Sequence, residues 1–88
     1  MQELTVQTKQ IIDTQGTPLS FTYILLESRT KDGDADYGIG IDSSRGESIR
    51  LPYLSPDRAA VEGLLELAAR LTLSPVHLPD VAEDWLGQ

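Results

Sequence analysis

The feature that most constrains this chain is a change of hydrophobic period at Ser55. Before it, apolar residues return at every second position, and after it they return at every third or fourth. A period of two sends alternate side chains to opposite faces of a strand, whereas a period near 3.6 lines one side of a helix. Strands that precede helices, rather than alternate with them, point to an antiparallel sheet with helices on one face. The expected class is therefore α+β: a four-stranded antiparallel meander followed by two C-terminal helices packed on one face, in the order ββββαα.

In the first strand, expected at 3–12, Leu4, Val6, Thr8 and Ile12 fall nearly in phase, and Asp13 to Pro18 supplies turn residues. A second strand at 19–28 carries Leu19, Phe21, Tyr23 and Leu25 on one face. Its other face carries Ser20, Thr22, Ile24 and Leu26, so it is apolar on part of both sides, as a strand inside a sheet would be. After the polar run from Thr30 to Asp36, Tyr37, Ile39 and Ile41 resume the alternation in a third strand at 36–42. The turn from Ser43 to Gly46 leads to a fourth at 47–53, where Pro52 marks an edge strand or a strand end. Val6, Phe21, Tyr23, Leu25, Ile39, Ile41, Ile49 and Leu51 are expected to meet the helices. Thr5, Gln7, Thr22, Gly38, Gly40, Asp42, Ser48 and Arg50 would form an outer face fit for water.

The first helix is expected at 56–71, with Ser55 as N-cap, Pro56 at the first helical position and Asp57 placed favourably for the helix dipole. Val61, Leu64, Leu65, Ala68 and Leu71 form its apolar stripe, and Glu66 with Arg70 an outer pair at i,i+4. Thr72 to Pro75 breaks it. A second, short helix is expected at 79–86 after an irregular turn at Val76 to Leu78, with Leu78, Val81, Ala82 and Trp85 on its apolar side.

Composition bounds what such a chain can do. Its 88 residues have room for one core, so one domain spanning 1–88 is expected. There is no cysteine, which removes disulfides, thiolate metal sites and cysteine nucleophiles. Seven basic residues against fourteen acidic ones give a net charge of −7, with the cations scattered, so no nucleic-acid partner is expected. Met1 to Ile12 lacks the basic start and continuous apolar core of a signal peptide, and no run approaches the ~20 apolar residues of a membrane span. These features read as a cytoplasmic protein without a membrane partner.

Candidate chemistry is sparse. Asp32, Asp34 and Asp36 begin like a calcium loop, but Tyr37 stands where the turn glycine belongs and Ser43 where the bidentate glutamate belongs. The bland reading, a solvated hairpin loop, is preferred. Gly38-Ile39-Gly40 lacks both the third glycine and the following helix of a dinucleotide fingerprint. Those glycines mark a strip that a neighbouring backbone or side chain can approach or, with Ile24 and Leu26, a shallow groove. His77, Asp80 and Asp84 would share a side if helix extended back to His77, but Pro79 opposes that, and capping or packing is the simpler role. Asp80 suits the positive end of the helix, while Glu83 and Asp84 fall toward its negative end, a small penalty that solvation covers. Their sharper reading is an acidic docking patch beside Trp85, itself more simply a core residue. No Ser/His/Asp set, paired-carboxylate site or phosphate loop is discernible, so no catalytic, metal-binding or cofactor-binding residue is assigned.

Three segments, Tyr37-Gly38-Ile39-Gly40-Ile41, Asp57 to Leu65, and above all Ser74-Pro75-Val76-His77-Leu78-Pro79-Asp80-Val81-Ala82-Glu83-Asp84-Trp85-Leu86, resemble a family of small uncharacterised bacterial proteins. The resemblance spans nearly the whole chain. It implies a stand-alone cytoplasmic domain typical of anaerobic Gram-positive bacteria, singles out Pro75 to Leu78 and Asp80 as the distinctive local pattern, and brings no function. The leading expectation is a non-enzymatic protein–protein interaction or regulatory domain, with His77, Asp80, Glu83, Asp84 and Trp85 as partner contacts. The alternative is a small-ligand or metal-binding domain using His77 with Asp80, or the Gly38/Gly40 strand face. A homodimer formed through Ile24 and Leu26 is a further expectation.

Overall fold

Three tight turns fold the first 55 residues into a meander. In the computed structural model, which describes residues 1–87, β1 (Gln2–Ile12), β2 (Pro18–Arg29), β3 (Ala35–Ser43) and β4 (Ser48–Ser55) form one sheet in the order β1-β2-β3-β4, every neighbouring pair antiparallel. Helices α1 (Arg58–Arg70) and α2 (Leu78–Leu86) follow. The α+β meander with two C-terminal helices on the sheet is thus the fold of the chain. The first turn shows how local sequence sets it: the Asp13 carboxylate accepts the Gln15 and Thr17 amides at 2.9 and 2.8 Å, and Gly16 takes a positive φ of 80°.

The helix side of the sheet is the core. Phe21, Tyr23, Leu25, Ile39 and Ile41 are buried there with Val61, Leu64, Leu65, Ala68 and Ala69 of α1 and Leu78 of α2. α1 lies over β2, β3 and β4, and α2 packs on β4 and α1. Each of these large apolar side chains contributes about 1.5–3 kcal/mol of transfer free energy on full burial. The sheet is also tied to the interhelical connection, because the buried Tyr23 hydroxyl donates to the Leu73 carbonyl at 2.9 Å. Burial pushes that phenol up to about 12.

The alternation in β1 does not run unbroken. The register shifts between Thr5 and Gln7, so Val6 is an extra, bulged residue and is 57% exposed instead of meeting the helices. Beyond the bulge every residue changes face: Gln7 stands opposite Tyr23 on the helix side, and Thr8 stands opposite Thr22 on the outer side. Ile12, opposite Pro18, is 69% exposed. β4 departs in the same way. Tyr37 pairs with Ser55 but Ile39 with Leu51, so Pro52, Tyr53 and Leu54 oppose Gly38 alone, and Tyr53 adopts a φ of 59°. Pro52 thus sits in a bulge on an edge strand, where its missing N–H leaves no ladder bond unmade.

The helix starts later than the N-cap pattern suggests. Ser55 closes β4 and its hydroxyl accepts the Asp57 amide at 3.0 Å, while Asp57 is the N-cap, its carboxylate accepting from Ala60. Pro56 therefore precedes the helix. The i,i+4 ion pair on α1 is Arg58 with Glu62 at 2.6 Å, and Glu66 with Arg70 is not among the ion pairs of the described residues. α1 ends as a Schellman motif, Leu73 N–H to Ala68 and Thr72 N–H to Ala69, with Thr72 at φ 53° in the position that usually takes glycine.

On the outer face, Ile24 and Leu26 are buried, at 4% and 0% exposure. Both glycines opposite them lie close under β4. A Cβ on Gly38 would overlap the Leu51 carbonyl and lie 2.6 Å from the Pro52 Cα, and one on Gly40 would lie 2.8 Å from the Arg50 Cδ. The strip expected as a groove is filled, by backbone at one glycine and by a side chain at the other. Ile24 and Leu26 accordingly offer no exposed surface to a second copy.

Candidate functional site

The distinctive Pro75 to Asp80 segment forms the entrance to α2. After the Schellman turn, the Ser74 carbonyl accepts the His77 amide at 3.1 Å, and the Ser74 hydroxyl lies 3.0 Å from His77 Nδ1. These two contacts close a turn over Pro75, which is buried. His77 is the N-cap residue with helical φ and ψ, and its side chain makes no capping hydrogen bond. Helix begins at Leu78, one residue before Pro79; a proline in the first turn costs nothing there because that N–H has no intrahelical partner. Asp80 stands in the first turn, where the amides and dipole favour a carboxylate.

The apolar stripe anchors α2. Leu78 and Ala82 are buried, and Val81 and Trp85 are half-buried against the core, so the tryptophan is mainly a packing residue with part of its surface left open. His77, Asp80, Glu83 and Asp84 are all exposed. Val76 and Leu86 at the two ends of the segment are exposed as well, at 65% and 55%. The last turn has no basic residue.

This surface is acidic and, like most carboxylates of the chain, its own carry no ion pair among the described residues. Glu3, Asp13, Asp42 and Glu62 each hold an arginine, whereas none of Asp80, Glu83 and Asp84 has a cation within 4 Å among the described residues. Hydrogen bonds to Arg50 hold the Glu3 and Asp42 carboxyls below their usual range, and the Thr17 amide does the same first for Asp13. The structure thus brings His77, Asp80, Glu83, Asp84 and Trp85 onto one helix but places His77 against Ser74 and not against either aspartate. Among the described residues no three His, Asp or Glu side chains converge as a cation site requires, Asp32, Asp34 and Asp36 included.

Two open depressions lie elsewhere. One, of about 590 Å³, is lined by Gln10 to Ile12, Pro18 to Ser20 and Ser44. The other, of about 520 Å³, is lined by Met1, Gln2, Glu27 to Arg29 and Tyr53. Neither reaches His77, Asp80, Gly38 or Gly40. The exposed apolar ends of the α2 segment escaped the sequence reading: Leu86 follows Ala82 by four residues and so reads as core.

Residues 2–88 match a family described as a family of unknown function, DUF6514. The chain belongs to that family. No curated protein and no solved structure matches it. Of the described residues, no helix is long and apolar enough to cross a membrane.

Proposed function

We propose that this DUF6514 chain is a small non-enzymatic interaction or regulatory domain of a bacterial cytoplasm, which docks on a basic protein surface through α2. The observation that carries this reading is the make-up of one short surface: Asp80, Glu83 and Asp84 are exposed with no ion pair among the described residues, on a helix flanked by exposed Val76 and Leu86 and by half-buried Trp85. A partner that brings lysine or arginine would supply the missing counter-charge and steer encounter, and the open part of Trp85 is the kind of rigid anchor around which binding energy concentrates.

The test is co-purification with the tagged protein from a lysate of its source cell, beside the variant Glu83→Lys/Asp84→Lys. The expected result is a stoichiometric protein that leaves as salt is raised and is lost in the variant. The variant itself should fold normally, since lysines near a helix C-terminus suit the dipole and both sites are exposed. A partner retained by the variant would move the contact away from α2. A preparation with nothing bound, and a melting shift with divalent ions that disappears in His77→Ala, would replace this reading with ligand binding at His77.

A further inference from the structure

The outer face of the sheet carries a device that the interaction reading does not use. Arg50 stands on β4 directly opposite Gly40, which stands opposite Ile24 on β2. Its Nε donates to Glu3 at 2.9 Å, and its two terminal nitrogens donate to Asp42 at 2.7 and 3.1 Å. Glu3 belongs to β1 and Arg50 to β4, the two edges of the sheet, so the arginine crosses both intervening strands to reach its partner. It can lie that flat only because Gly40 has no Cβ. Beneath this crossing lies the buried Ile24, on the face of the sheet opposite the helices, where its neighbour Leu26 stands opposite Gly38 and the β4 bulge.

We propose that Arg50 is an acid-released cover, which lifts from the outer face when Glu3 and Asp42 are protonated and uncovers Ile24 while the helix-side core stays folded. The groups that face the guanidinium are few. β1 presents Glu3, β3 presents Asp42, β4 presents the Ser48 hydroxyl at 3.1 Å and the Ile49 carbonyl at 3.0 Å, and β2 presents Thr22, Ile24 and Leu26, so that of these groups only Glu3 and Asp42 titrate. The sign follows from the pairing. Both carboxyls are held below their ordinary range, chiefly by hydrogen bonds to Arg50, so their contribution is present above the unfolded carboxylate range near pH ~4 and is lost as pH falls through the lowered values. The helix-side core responds differently. Its buried cluster of apolar residues with Tyr23 contains no carboxylate, histidine, lysine or arginine, so nothing within it changes charge in acid.

The test reads the solvent exposure of methyl groups by NMR, with a soluble paramagnetic reagent, in the intact chain. Ile24 and Leu26 report the outer face, and Leu64 and Leu65 the helix side. In acid, reagent-induced relaxation at Ile24 should rise several-fold with Leu64 and Leu65 unchanged. Asp42→Asn and Glu3→Gln should produce the same opening at neutral pH, which separates this cover from the Asp13–Arg45 pair that acid also discharges at the first turn. Glu3 is an exposed carboxylate, so Glu3→Gln keeps the test available if Asp42→Asn fails to fold. An Ile24 that stays shielded in the variants would overturn the proposal, as would all four reporters becoming exposed together.

Discussion

On one side of this sheet, Tyr23, Leu25, Ile39 and Ile41 are sealed by the apolar side chains of two helices, whereas on the other Ile24 and Leu26 are sealed by one arginine and by the strand β4 itself. The first solution relies on area: many side chains, none titratable in acid, each contributing a share of the transfer free energy. The second relies on two missing Cβ atoms and a three-residue bulge. Burial fraction alone would make Ile24 and Leu26 equivalent, at 4% and 0% exposure. What covers them shows that they are not, because a cover made of backbone cannot yield and a cover made of a flexible side chain can.

The largest effects should come from breaking each cover at its least forgiving point. Leu64→Ala removes a fully buried contact of α1 and should cost about 3–4 kcal/mol in urea denaturation, with its m-value retained. Gly38→Ala should rival it, at about 3 kcal/mol, although it adds one methyl to an outer-face position, because that methyl would meet the Leu51 carbonyl and Pro52 backbone. If Gly38→Ala proves mild, the β4 bulge is softer than the comparison holds.

Tyr23→Phe should come next, at about 1 kcal/mol for the hydrogen bond to Leu73, measured by the same denaturation near neutral pH. It also tests a pH slope on the helix side. Because the Tyr23 phenol is pushed up to about 12 by burial, the folded chain should lose stability as pH rises from about 10, where the unfolded phenol begins to ionise. Tyr23→Phe should flatten that slope. The smallest effect is expected at Gly40→Ala, under about 1 kcal/mol, since its new methyl meets only the displaceable Arg50 side chain. Near-equality of the two glycine variants would remove the distinction between the rigid and the yielding part of the outer cover.

Much of this was legible in one dimension. The switch of period at Ser55 specified strands before helices, and the Gly38-Ile39-Gly40 pattern indicated close approach by a backbone or a side chain; the structure contains one of each. The face assignment of β1 was not legible, because a bulge is invisible to alternation: one extra residue at Val6 reverses every position after it. The N-cap moved from Ser55 to Asp57 because β4 claims Ser55 in its pairing with Tyr37, a competition that no local capping pattern records. In the candidate site, the exposed carboxylates of α2 could be read from their spacing opposite Leu78, Val81, Ala82 and Trp85. The engagement of His77 by Ser74 depends on the conformation of the turn between them.

By itself, the sequence determined the class of fold, the order of its elements, most of the apolar stripe of each helix and the acidity of α2, since each of these follows from residue type and local period; Leu71, expected on the stripe of α1, is instead its exposed C-cap, because the helix ends at Arg70. The tertiary structure alone decided what closes the outer face. Glu3 and Arg50 are separated by most of the sheet's sequence and meet only because the meander brings opposite edges within the reach of one arginine across a glycine. A local pattern records which face a side chain takes; it carries no information about which distant side chain will lie over it.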